Sequence, residues 1–151
     1  MLNRLLDVFA SFQKREVKYL VIGGIAAVLH GVPRATFDLD ILIEASPDNA
    51  QRLLDALIDA SFATATMITA DELLAHEITI FRDRVRIDVQ TSTPGITFEE
   101  AWQKRVAMTY QEQEFYVAAK EDVIASKRAA GREKDLADVR MLEIDFKDDE
   151  A

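Results

Sequence analysis

An α/β fold, with a mixed sheet flanked by helices, is the architecture this chain predicts, and three observations lead to it. Apolar residues alternate through residues 37–43 and 85–90, which is strand periodicity, and residues 18–22 read as a further short strand. Leu53, Leu54, Leu57 and Ile58 instead repeat at helical spacing, and the two kinds of segment succeed one another along the chain. With 151 residues, 49% of them hydrophobic, there is material for one ordinary core and too little for two. One domain over residues 1–144 is expected, followed by an acidic tail at 145–151.

The elements follow in order. Leu5, Leu6, Val8, Phe9 and Phe12 predict an N-terminal amphipathic helix, and Asp7 within it argues against a secretory signal. Residues 18–22 predict a strand ending at Gly23-Gly24, and Ile25 to Leu29 a short buried helix broken at His30-Gly31-Val32-Pro33. The strand at 37–43 stops before Ser46-Pro47, where Ser46 can cap a helix and Pro47 suits its first turn. Thr69 and Glu72 have capping-box spacing. Residues 77–81 and 85–90 predict a hairpin around Arg82-Asp83-Arg84, ended by Thr91 to Gly95. Phe98, Trp102 and Val106 predict a helix from near Thr97, and residues 114–117 an edge strand. Helices are expected over 118–130 and 132–142, parted by Gly131.

Charge and composition narrow the chemistry. Twenty-seven acidic residues against 18 Lys plus Arg give a formal net charge of -9, so a polyanion must find a local basic patch against an adverse overall field. The absence of cysteine excludes disulfides, thiolate zinc sites, cysteine nucleophiles and cysteine-ligated iron-sulfur clusters. His30 and His76 alone make no histidine-rich metal site. No segment approaches the roughly 20 apolar residues of a membrane span, and a cytoplasmic globular protein is expected.

The residues with chemistry to offer are Gly23, Gly24, Asp38, Asp40 and Asp88. In an extended strand Asp38 and Asp40 share one face while Phe37, Leu39, Ile41 and Ile43 take the other; Ile87 and Val89 flank Asp88 in the same way. Crowded carboxylates are costly unless protons, donors or cations compensate them. Two readings stand: a solvated strand face, or an all-oxygen site for Mg2+ or Mn2+ in which Asp38 and Asp40 are ligands. In the second, Asp88 completes the site and aligns or deprotonates a hydroxyl. Gly23-Gly24 between strand and helix is either a tight turn or a place where phosphate oxygens approach main-chain N–H groups. Arg34 can bridge to phosphate or fix a carboxylate, and Thr36 shares the alternating face of the aspartates.

Val21-Ile22-Gly23-Gly24, then Asp38-Leu39-Asp40, then Asp88 resembles the nucleotidyltransferase superfamily that includes DNA polymerase beta. More narrowly, the chain is similar to small bacterial proteins related to AbiEii-type abortive-infection toxins. The resemblance covers most of the chain and implies a minimal nucleotidyltransferase fold, nucleotide phosphate binding, two metal-binding carboxylates and a third catalytic one. Residues 124–138 also resemble the narrower group, which implies a helical region beside the cleft presenting Lys127 or Arg132 to a nucleotide. The alternative is that Lys127, Arg128, Arg132 and Lys134 pair with neighbours such as Asp135 and Asp138. Where many members of the wider superfamily carry serine, this chain has Gly24, which removes a hydroxyl from the phosphate site.

The implied activity is transfer of a nucleoside monophosphate from a nucleoside triphosphate (NTP) to a hydroxyl, with magnesium or manganese as cofactor. The resemblance further implies a toxin-like role in a toxin–antitoxin or phage-defence pair, with a cognate antitoxin or accessory protein as partner and RNA or protein as acceptor. Two other classes remain open: a nucleotide-binding or partner-binding protein that keeps the fold without catalysis, and a metal-dependent phosphohydrolase.

Overall fold

The computed structural model describes residues 1–144; the acidic tail foreseen at 145–151 lies outside them. The strands are β1 (Tyr19–Ile22), β2 (Leu39–Ile43), β3 (Ile78–Arg82), β4 (Arg86–Gln90), β5 (Val106–Tyr110) and β6 (Gln113–Val117). The helices are α1 (Leu6–Lys14), α2 (Gly23–Leu29), α3 (Pro47–Asp59), α4 (Ala70–Leu74), α5 (Phe98–Gln103), α6 (Lys120–Ala130) and α7 (Glu133–Leu142). The six strands form one mixed sheet in the order β3-β4-β2-β1-β6-β5, so the expected α/β architecture is present. β2 runs parallel to β4 and β1 parallel to β6, while β1 and β2 are antiparallel. No helix among the described residues is long and apolar enough to cross a membrane.

Side-chain alternation gives the sheet two unlike faces. Tyr19, Val21, Leu39, Ile41, Ile43, Ile87 and Val89 are all buried on one face. There Phe9 of α1 stacks on Phe115 at 4.6 Å and on Tyr19 at 6.1 Å, with α3 packed beside α1. On the other face α2 lies against β1 and β2, α6 packs on α2, and α7 on α6. These three helices stop short of β4 and β3, and Asp40, Asp88, Ile80 and Ile78 line a cleft there.

Local chemistry sets the element ends. Ser46 accepts a hydrogen bond from the Asn49 amide at the start of α3, and Thr69 and Glu72 close a full capping box on α4. Asn49 is 1% exposed: its Oδ1 accepts from the Lys18 amide at 2.8 Å, and its Nδ2 donates to the Lys18 and Glu44 carbonyls, each at 2.9 Å. This single amide ties the entry of β1 to the exit of β2. Asn49→Ala leaves those backbone groups without their partner and is expected to cost about 2 kcal/mol, read as a lower chemical-denaturation midpoint at unchanged m-value.

Two expectations need correction. The helix expected to run through Val106 ends at Gln103, and Val106 instead opens β5, pairing with Val117. The segment at 114–117 is no edge strand: β6 lies between β1 and β5, and β5 forms the edge. The two strands meet at Gln111 and Glu112, with φ of 47° and 68°. That is a two-residue hairpin turn built without the glycine or asparagine that advertises such turns, so an amphipathic helix reading prevailed.

Candidate active site

β2 and β4 bring the first two carboxylates together. Their parallel register places Asp40 opposite Asp88, and Ile22 and Ile80 continue the same row on either side. Register partners project from one face, so Asp40 and Asp88 meet on the cleft side of the sheet. Asp38 precedes the first residue of β2, because the strand begins at Leu39 and not at residue 37 as its alternation suggested. The 31–38 segment crosses from α2 around Pro33, and Asp38 is exposed at the cleft rim. The cleft holds about 590 Å³, room for a nucleotide-sized ligand.

The electrostatics are those of crowded acids. Burial pushes the Asp40 carboxyl up to about 7, helped by the charge and hydrogen-bonding proximity of Asp88 and, further off, by Asp38. Asp88 is held by a fork: Arg86 Nε donates to Oδ1 at 2.8 Å and Nη2 to Oδ2 at 3.1 Å. Arg86 and Asp88 are two residues apart on one strand and therefore share its cleft face.

Gly23 and Gly24 follow β1 without a gap as the first two residues of α2, and Gly23 lies directly against Asp40. Gly23 has φ of +70°, and a Cβ there would stand 2.9 Å from Asp40 Cγ and closer still to Oδ2. A Cβ on Gly24 would stand 2.9 Å from Thr36 Oγ1 and 3.2 Å from Arg34 Nη2, so the backbone carries both neighbours at close range. Gly23→Ala combines left-handed backbone strain with a clash on Asp40. It is expected to lower stability by about 1–2 kcal/mol and to displace the carboxylate, measured by thermal melting alongside metal titration.

The far wall comes from α6 and α7. Lys127 is buried, its Nζ 2.9 Å from Asp138 Oδ2 and 3.7 Å from Asp135 Oδ1. Arg34 forks onto Asp138 at 2.7 and 3.0 Å, and Arg132 onto Asp135 at 2.6 and 3.3 Å. Burial pushes both carboxyls up, but the cations outweigh it and hold each below its ordinary value. Arg34, Thr36, Lys127 and Arg132 all line the cleft, and three of them are already engaged in this ionic network. Lys134 also lines it and has no carboxylate partner among the described residues.

The donor set suits a hard divalent cation, since the side chains gathered at Asp40 are carboxylates and burial raises the cost of their charge. Among the described residues, however, no three acidic or histidine side chains are close enough together to hold a metal ion. At Asp88, Arg86 engages both oxygens. In kind the residues fit magnesium or manganese; in this arrangement a guanidinium holds part of the ligand set.

Arg86 was not among the residues that the sequence singled out for the site. The signal that it faces the acids was its spacing of two from Asp88. Ile78 and Ile80, about half exposed on the cleft floor, went unremarked because an apolar strand residue ordinarily announces core.

Residues 3–146 match a family model described as "Nucleotidyltransferase of unknown function (DUF6036)". No curated protein matches the chain.

Proposed function

The chain belongs to this nucleotidyltransferase family, and from that premise we propose that it transfers a nucleoside monophosphate from an NTP to a hydroxyl acceptor in the cytoplasm. The observation that carries the reading is the row Asp40–Asp88 beneath the Gly23-Gly24 turn in a nucleotide-sized cleft. The acceptor oxygen attacks the α-phosphorus and the new P–O bond forms. The bond to the bridging oxygen breaks, pyrophosphate leaves with the electron pair, and Asp88 aligns the hydroxyl and receives its proton. Asp38 and Asp40 would hold magnesium or manganese, which when bound neutralises the phosphates and stabilises charge in the transition state. In this reading the main-chain N–H groups at Gly23-Gly24 and the exposed ammonium of Lys134, all in residues that line the cleft, bind phosphate oxygens.

We read the chain as the toxin half of a toxin–antitoxin or phage-defence pair, on the strength of its sequence resemblance. For the acceptor, Arg84 pairs with Asp7 and Arg86 with Asp88, which leaves Arg82 as the hairpin arginine without a carboxylate partner among the described residues. Together with the net charge of -9, this favours a protein or small-molecule hydroxyl over RNA. The grip of Arg86 on Asp88 favours a second reading, a nucleotide-binding protein without turnover. Incubation with each NTP, Mg2+ or Mn2+, and protein, RNA or cell-extract acceptors separates the two. Asp40-dependent pyrophosphate release is expected; orthophosphate release alone would mark a phosphohydrolase, and NTP binding without release would favour the non-catalytic role.

A further inference from the structure

We propose that Arg86 is a built-in counter-ion of the active site, a positioning residue that holds Asp88 in the metal-free protein and competes with a divalent cation for that carboxylate. The inference rests on the nucleotidyltransferase reading of the cleft.

The geometry is specific. Both guanidinium bonds run in parallel to the two oxygens of one carboxylate, so each Asp88 oxygen accepts one N–H from Arg86. Asp88 is mostly buried, with 15% of its side chain exposed, and both it and Arg86 line the cleft. The charge of Arg86 is favoured first by its hydrogen bond to Asp88, then by the charges of Asp88, Asp38 and Asp40, so its guanidinium sits in the field of all three acids. Its strand neighbour gives it no support: Arg86 is the register partner of Arg82, a like-charge pair across two antiparallel strands. What holds Arg86 in place is therefore the acidic site. The other cations of the cleft wall, Lys127, Arg34 and Arg132, form their ion pairs with Asp135 and Asp138, and Lys127 and Arg132 reach Asp40 only through longer-range charge. A guanidinium and a divalent ion compete for the charge of Asp88, so the affinity of the site for metal is set against the strength of the fork.

Titration of free Mn2+ by electron paramagnetic resonance at pH 8 and low ionic strength tests this without any turnover. Arg86→Gln is expected to bind Mn2+ about tenfold more tightly than the parent protein, since a charge-assisted fork no longer competes. Arg86→Lys, which keeps the charge but loses the second parallel bond, should fall between them. A purely structural arginine would lower the melting temperature without tightening metal binding. Asp40→Asn, alone and with Arg86→Gln, should lose the bound Mn2+. Unchanged or weaker binding by Arg86→Gln, with Asp40-dependent binding in the parent, overturns the counter-ion role and leaves the proposed activity standing. No Asp40-dependent binding in any variant overturns both. If Arg86→Gln fails to fold, Arg86→Lys carries the test, and parental affinity there overturns the proposal.

Discussion

Asp40→Asn is expected to abolish nucleotidyl transfer, by at least about a thousandfold, while making the metal-free protein more stable above neutral pH. The second half follows from the crowding at the site. The Asp40 carboxyl stands at about 7 in the folded protein against an ordinary 3.8, chiefly through burial and then through Asp88 and Asp38. Between those values the folded state binds more protons than the unfolded one, so this group makes stability fall as pH rises from about 4 to about 7. Above that window the cost of the buried charge is fully present; below it the cost is absent. Asparagine has no proton to lose, so the gain should vanish near pH 4 and reach about 1–2 kcal/mol at pH 8, a rise of several degrees in melting temperature. Added Mg2+ should stabilise the parent more at pH 8 than at pH 6 and leave Asp40→Asn unmoved. Melting curves in EDTA from pH 4 to 9 check the first claim; parallel pH profiles for the two proteins would contradict it.

Lys127→Met is expected to destabilise the fold by about 3 kcal/mol, a fall of roughly 6–12 °C in melting temperature. Only 7% of the Lys127 side chain is exposed, and its ammonium stands between Asp135 and Asp138, which are equally buried. Methionine fills the same space but leaves each carboxylate with one arginine in place of two cations. Asp138→Asn in the same chain should restore part of the loss, because it removes one of the charges left short of a partner. The result also separates two roles for this lysine. A melting temperature that hardly moves, together with lost NTP affinity, would make Lys127 a phosphate ligand and contradict its place as the keystone of the α6–α7 network.

Much of the site was legible because strand alternation is a strong code. Asp40 and Asp88 each alternate with apolar residues that take the opposite face, so their projection from a common face follows once β2 and β4 are neighbours. The turn at Gly23-Gly24 was legible from the strand before it and the helix after it. What the sequence did not carry was competition between partners. Lys127 could be read as meeting a triphosphate or an aspartate, and only the packing of α7 against α6 brings Asp135 and Asp138 onto it. Arg86 could be read as surface charge until its fork on Asp88 was visible. β5 was missed for a different reason, since a turn with positive φ at Gln111 and Glu112 leaves no mark in residue type.

The central claim is that these carboxylates move a nucleoside monophosphate onto a hydroxyl, and intact-mass analysis of the acceptor tests it most directly. The protein is incubated with each NTP and Mg2+ or Mn2+ in the presence of itself, a bulk RNA pool or a cell extract, beside an Asp38→Asn/Asp40→Asn control. The account predicts an acceptor heavier by one nucleoside monophosphate residue, formed only when both aspartates are intact. An adduct of the same mass and yield from the control protein would contradict it.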